Sequence, residues 1–297
     1  MVSKAIKRAF ISGITKGIGK ELAVGLRKRG YKVYGTCLPS EQWEAKNLED
    51  VYGIKIFALD VSKVEEIEKL ASSIEQEIDG RIDFLYNNES VVIGGPAIET
   101  PDKDLEQIFK VNVLGNIYLT KHLSKYVIQA KGIIVFSSSA TARSPVPWMS
   151  AYGASKAAVD QYALILRSEL KPFGVQVHSV IIGNISSSSS HHGIVTNCVR
   201  GPHYAVDGIY ESFKSIGEYT ESVNISPREA SENILNKILS PWSYPGFNIF
   251  TGARAYLSHL FVRYLPLWLV EYGVAFQFRL FKVWTGVRRK RRAAQVT

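Results

Sequence analysis

Short apolar runs alternate with charged stretches of helical period from the amino terminus to residue 182. Residues 5–11, 32–36, 55–59, 82–86, 132–139 and 175–182 are rich in branched and aromatic side chains and read as buried strands. Between them, the residues from Gly19 to Arg29-Gly30, residues 63–77, residues 101–129 and a stretch starting near Ala151 show amphipathic helical spacing. Strand and helix signals in alternation predict an α/β fold of the doubly wound Rossmann type, with a parallel sheet between helical layers. No internal repeat interrupts this order.

The pattern changes after Pro245-Gly246. Residues 256–270 are dominated by Leu, Tyr, Phe and Trp, but Arg263, Pro266 and Glu271 break the run. A bilayer-crossing helix needs about 20 predominantly apolar residues, which this stretch does not provide. Residues 274–287 interleave Phe276, Phe278, Leu280, Phe281, Val283 and Trp284 with Arg279 and Lys282, and the cations Arg288, Arg289, Lys290, Arg291 and Arg292 follow in an unbroken row. Aromatic faces beside a polybasic run describe an amphipathic segment lying in the headgroup layer of an anionic membrane or lipid droplet. A terminal helix packed on the body and a nuclear address are the other readings of the same residues. The expected organisation is therefore a catalytic domain over 1–245 and a membrane-associating segment over 246–297.

Charge sharpens that division. The chain of 297 residues carries a net charge of +9. Residues 254–297 hold 9 Lys and Arg against Glu271, a net of +8, so everything before them sums to +1. A nearly neutral body argues against a nucleic-acid surface spread over the fold. Cys37 and Cys198 do not make a disulfide framework, and Lys4, Lys7 and Arg8 interrupt any signal-peptide core, so the first residues read as a strand in a reducing, cytosol-facing setting. Serines fill 186–190 and His191-His192 follow; without a third ligand the paired imidazoles read as a solvated loop, and no metal is expected.

The candidate chemistry lies at the predicted carboxyl ends of strands. Tyr152 and Lys156 are four apart on one helix and share a face. A lysine ammonium within about 4 to 6 Å of a phenol favours phenolate, which would bring Tyr152 towards the range of a working acid or base. Ser139 ends the run 132–139 and delivers a hydroxyl to the same edge. Near the amino terminus, Ser12-Gly13-Ile14-Thr15-Lys16-Gly17-Ile18-Gly19 joins a strand to a helix, as a nucleotide pyrophosphate requires of its cradle. An acid at the end of the second strand would hold the ribose hydroxyl of NAD, whereas Thr36 is neutral and Lys16 is basic, which favours NADPH.

The glycine turn, Ser139 and Tyr152-x3-Lys156 together resemble the short-chain dehydrogenase/reductase family over residues 4–190. The resemblance implies that Gly13, Lys16, Gly17, Ile18 and Gly19 hold the cofactor, with Asp60 at the adenine, and that Asn87, Tyr152, Lys156, Ile185 and Ser187 complete its site. It also implies that Asn112 organises a proton relay with Ser139, Tyr152 and Lys156, and that residues 191–225 cover the substrate. Arg200, His203 and Lys214 are the cations available there. The chain departs from the family's N-N-A-G at Glu89-Ser90; Glu89 is expected to point to solvent, with weakened cofactor binding as the alternative.

Within the family, residues 83–88, 109–113, 154–158, 169–173 and the tail stretch 264–271 are similar to the fungal NADPH-dependent reductases of 1-acyl-dihydroxyacetone phosphate. That resemblance implies a lipid substrate reduced to a lysophosphatidate at the cytosolic face of the endoplasmic reticulum and on lipid droplets. A sterol, retinoid or other hydrophobic ketone and a non-catalytic lipid-surface protein are the alternatives. Family members pair through the helix of Tyr152, so a homodimer and a membrane-attached monomer are both open.

Overall fold

A computed structural model describes residues 6–186, 201–240 and 246–295. Its centre is a seven-stranded parallel sheet in the order β3-β2-β1-β4-β5-β6-β7. The strands are β1 Arg8–Ile11, β2 Lys32–Cys37, β3 Lys55–Ala58, β4 Phe84–Asn87, β5 Ile133–Ser139, β6 Gln176–Ile182 and β7 Asn248–Thr251. The order reverses between β1 and β4, whose pairing aligns Ile11 with Tyr86. In open α/β sheets such a reversal opens a crevice at the carboxyl ends of the strands.

Helices cover both faces. On one side α1 (Gly17–Lys28) and α2 (Gln42–Tyr52) bury Leu22, Leu26 and Leu48 against Ile11, Val33 and Val135. On the other, α3 (Val64–Ser73), α5 (Asn116–Ala130) and α6 (Ser150–Leu170) surround Phe10, Leu85, Ile134 and Phe136, and α4 (Asp102–Phe109) lies beside α6. The helix expected to run unbroken through Asn112 is instead parted by a π-helical turn at Lys110–Gly115. Gly115, at its end, lets the turn lie against Val61, where a Cβ would press on the Val61 carbonyl. Such turns free a carbonyl from the i→i−4 ladder and recur at functional sites.

The remaining helices are α7 (Ile209–Ser222), α8 (Pro227–Leu239), α9 (Ala255–Tyr264), α10 (Leu267–Gln277) and α11 (Leu280–Ala293). The division expected at 245 and 246 is corrected by β7, which pairs with β6 from Ser179↔Asn248 to Ile182↔Thr251. Ile249 and Thr251 are buried in the sheet, so its last strand comes from beyond the expected boundary. The helical tail is also anchored. Val283 of α11 is buried with Met149, Ile209 and Phe213, against Trp148 and Tyr152. Among the described residues no helix is long and apolar enough to cross a membrane.

Candidate active site

The glycine turn between β1 and α1 forms one wall of a cleft of about 540 Å³ at the crevice. Gly13 has φ +67° and Gly17 φ +60°, the left-handed region that glycine enters without strain. At Gly19 a Cβ would overlap the Gly13 carbonyl, so this approach of helix to turn excludes a side chain. The first turn of α1 has no side-chain cap, which leaves its N–H groups facing the cleft for an anion. The Ser12 hydroxyl accepts from the amides of Asn88 and Glu89 at 2.9 and 3.1 Å, and Asn88 Nδ2 donates to the Gly13 carbonyl at 2.8 Å. These bonds tie the turn to the end of β4. A cradle that a Cβ would fill, beside an uncapped helix start, fits the pyrophosphate of a nicotinamide dinucleotide.

Ser139, Tyr152 and Lys156 converge on the opposite wall. The Ser139 oxygen accepts from Thr141 N at 3.2 Å and from Thr141 Oγ1 at 2.8 Å, so the direction left for its own proton is towards Tyr152. Lys156 is buried and donates to the Ser137 carbonyl at 2.9 Å, with Nζ 5.7 Å from the centre of the Tyr152 ring. Burial brings the Lys156 ammonium down to about 8, opposed by the charges of Asp160 and Glu89. Burial also raises the Tyr152 phenol, against the hydrogen bond from Ser139. The lowering of Tyr152 expected from Lys156 is not what the site shows: desolvation acts in the other direction and favours the neutral phenol.

A short chain dehydrogenase family model matches residues 7–194. The chain is 33% identical to the NADPH-dependent 1-acyldihydroxyacetone phosphate reductase of Saccharomyces cerevisiae, over 98% of this chain and 97% of the relative. The Schizosaccharomyces pombe protein of the same name is 32% identical over 62% of each chain. The crystal structure of a short-chain dehydrogenase from Streptomyces avermitilis superposes with a TM-score of 0.74 at 23% identity, covering 95% of this chain and 98% of the other. The chain belongs to the short-chain dehydrogenase family. It is an oxidoreductase.

Against the family pattern, the expected cofactor residues divide. Gly13, Lys16, Gly17, Ile18, Tyr152, Lys156 and Ile185 line the cleft. Gly19 supports the turn from behind. Asp60 accepts from the Ser62 amide and hydroxyl at 3.0 and 2.7 Å and braces the approach to α3. Asn87 is buried, donating to Thr120 Oγ1 at 3.0 Å, and its Oδ1 finds no partner among the described residues. Its neighbour Asn88 faces the cleft, which the adjacent position in the motif could have signalled. Asn112 is buried, exchanging bonds of 2.8 and 2.9 Å with the Val91 backbone and donating to Ser155 Oγ at 3.0 Å. It thus fixes the segment after β4 against α6. Ser187, His191, His192 and Arg200 lie outside the described residues.

Carboxylates change the electrostatics of this cleft. Lys16, expected to meet a 2′-phosphate, has its Nζ 3.1 Å from Glu41, which also accepts from the Thr15 hydroxyl at 3.1 Å. Glu89 does not point to solvent: its carboxylate stands against Gly13 and lines the cleft. Burial, then the charge of Glu41, pushes the Glu89 carboxyl up to about 7. Glu89 stands in the departed N-N-A-G position but its direction is set by the fold, and Glu41 belongs to no motif and is brought from beyond β2 to the glycine turn only by the tertiary structure.

A second cavity, of about 450 Å³, opens beside the first. They share Ser139, Met149, Ile182, Gly183, Asn184 and Thr220. Arg254 is its one cation among the described residues, lying 4.5 Å from the Tyr219 ring centre. The expected cations do not reach it: Lys214 is 3.7 Å from Glu218, and His203 is held by its amide to Glu99. The Arg254 backbone, at φ +62°, turns the chain from β7 into α9.

Proposed function

We propose that this oxidoreductase uses NADPH to reduce the ketone of a lipid, 1-acyl-dihydroxyacetone phosphate, to 1-acylglycerol 3-phosphate. The observation that carries this reading is the span of the similarity to the yeast reductase. It runs over 98% of the chain and so takes in the helices beyond Arg254 as well as the cofactor-binding body. The intact set of Ser139, Tyr152 and Lys156 argues against a purely binding role.

NADPH, when bound in the cleft, would supply hydride to the carbonyl carbon. Around that step the chain manages a proton and a developing charge. Tyr152, neutral because burial disfavours phenolate, is poised to give its proton to the carbonyl oxygen. Ser139 has spent its acceptor sites on Thr141, so its proton turns to whichever oxygen enters, the Tyr152 phenol now and the substrate carbonyl later. Lys156, fixed to the Ser137 carbonyl, sets a cation beneath Tyr152 that stabilises the phenolate left after transfer. Asn112 acts at one remove, through Ser155, as a positioning residue for α6.

The same reading places the protein on a membrane or lipid-droplet surface at the cytosolic face of the endoplasmic reticulum. Tyr264, Trp268, Tyr272 and Phe276 are between 61% and 75% exposed, an aromatic face left largely in solvent although Tyr272 meets Phe281 and Arg263 lies over the Tyr264 ring. Arg288 to Arg292 continue along α11, exposed and suited to anionic headgroups.

The test is NADPH oxidation by the full-length protein with 1-palmitoyl-dihydroxyacetone phosphate, beside NADH and a panel of sterol and retinoid ketones. Saturable oxidation of NADPH with the acyl phosphate is expected. Turnover confined to sterol or retinoid ketones would replace the substrate, and NADPH binding without turnover on any ketone would overturn the enzyme.

A further inference from the structure

The helices beyond Arg254 do more than cover the sheet edge. In α9, Ser258, Phe261, Val262 and, just past its end, Leu265 face the second cavity at intervals of three and four. In α10, Leu269, Val270, Gly273, Val274 and Gln277 do the same. Both spacings put one face of each helix on the cavity. Ile216 of α7 and Met149, next to α6, supply further apolar wall. The outward faces of α9 and α10 are apolar too, with Tyr256, Leu257, Tyr264, Trp268, Tyr272 and Phe276 exposed. A helix with two apolar faces cannot satisfy both against one protein core. One face must meet something else.

We infer that the cavity between α7, α9 and α10 is the subsite for the aliphatic chain of the substrate, filled by one alkyl or acyl chain that slides in from a lipid layer. The inference rests on the lipid-ketone reading above and names what that reading leaves without a place. The occupant is fixed by three observations. The cavity joins the cofactor cleft at Ser139, so a chain lying in it brings its own polar end to the reacting edge. Asn184 stands at that junction, its amide given to the Tyr219 and Val223 carbonyls, and Arg254, next to the Ala253 that bridges to Asn184, lines the cavity beyond it and gives an anionic head its cation. The other walls are mostly aliphatic and aromatic, with Ser144, Ser258 and Gln277 among their few polar groups, in a volume of about 450 Å³ that lies within the roughly 300–1,000 Å³ of small-molecule sites. The exposed aromatic face of the same two helices would keep the entering chain out of water.

Each methylene moved from water into the cavity should strengthen binding by about threefold to fourfold until the cavity is full. The experiment measures kcat/KM of the full-length protein for 1-acyl-dihydroxyacetone phosphates from butanoyl to palmitoyl. In parallel, binding of alkyl phosphates of matched lengths is followed by tryptophan fluorescence. Val274, half-buried on the cavity face of α10, is replaced by Trp to fill the space and by Ala to enlarge it.

The expected result is a rise of kcat/KM with chain length in the natural protein. Val274→Trp should stop that rise at a shorter chain, with about a tenfold loss on palmitoyl and none on butanoyl, and Val274→Ala should extend it. Retained NADPH binding shows that each variant is folded. A length profile that is flat in the natural protein, or a Val274→Trp loss equal at every length, overturns the inference. If no acyl phosphate is reduced but alkyl phosphate binding still rises with length and Val274→Trp truncates it, the reductase reading fails and the chain subsite stands. If neither turnover nor binding depends on length, the subsite falls.

Discussion

The two cavities that meet at Ser139 are built by opposite means. The cofactor cleft is shaped by backbone: left-handed glycines, an uncapped helix start and carbonyls that admit no Cβ. Its charges, Lys16, Glu41, Glu89 and Lys156, lie within reach of one another. The second cavity is shaped by side chains on helical faces, with Arg254 its only charged group among the described residues. Backbone geometry tolerates few residue types, whereas an apolar wall accepts many. The first cavity therefore leaves a motif in the sequence and the second leaves only a composition.

If this contrast is real, variants in the cleft should act on chemistry whatever the lipid, and variants on the outer surface should act on delivery alone. Replacing Tyr152 with Phe should lower turnover by roughly 10²- to 10⁴-fold while the NADPH dissociation constant stays within a factor of about two. Steady-state kinetics beside a binding titration will show it, and a matching loss of affinity would mean that Tyr152 serves binding. The tail gives the next effect. Arg288, Arg289 and Arg291 replaced together by Gln should weaken binding to anionic vesicles by about 3 kcal/mol, near 100-fold, with turnover of a soluble short-chain ketone unchanged. Point changes are needed because removing the whole segment from Arg254 would expose Phe213 and Met149, which Val283 covers. Vesicle binding that survives the triple change would place the membrane contact elsewhere.

Within the cleft, the Lys16–Glu41 pair sets a smaller contrast. Lys16→Ala should raise KM for NADPH by about tenfold or more and leave NADH nearly unaffected, because a cation at a phosphate is a charge-assisted bond. Glu41→Ala, which releases Lys16 from its carboxylate, should move the ratio the other way. Equal effects on both cofactors would show that Lys16 meets the pyrophosphate instead. The smallest effect concerns pH. The Glu89 carboxyl, raised to about 7 by burial, is neutral below that value and anionic above it. Cofactor affinity should accordingly fall a few-fold as pH rises through about 7, and Glu89→Gln should remove that fall. Lys156 discharges separately, near 8, and should appear as a loss of turnover above that pH. Superimposable pH profiles for the natural protein and Glu89→Gln would exclude Glu89 as the titrating group.

Legibility followed the same physical line in the fold. Six of the strands were marked by apolar runs, because strands buried on both faces need nearly continuous Ile, Val and Phe. β7, with only Asn248, Ile249, Phe250 and Thr251, was too short to carry a pattern and was assigned to the tail. The π-helical turn was invisible because Lys110–Gly115 keeps helical spacing on either side. Asp60 and Asn87 carry cofactor roles by resemblance, and the structure adds local bonds that the motif does not show, from Ser62 to Asp60 and from Asn87 to Thr120.

By itself the sequence determined what a backbone or a periodicity dictates: the doubly wound sheet, the glycine turn, and Ser139, Tyr152 and Lys156 at one edge. The tertiary structure decided what depends on residues far apart in the chain. It set Glu41 on Lys16 and turned Glu89 inward against Gly13. It desolvated the Tyr152 phenol in a direction that favours its neutral form, and it folded α9 and α10 over an apolar space that opens at Ser139. Desolvation and long-range proximity have no local signature, because each is a property of what surrounds a residue.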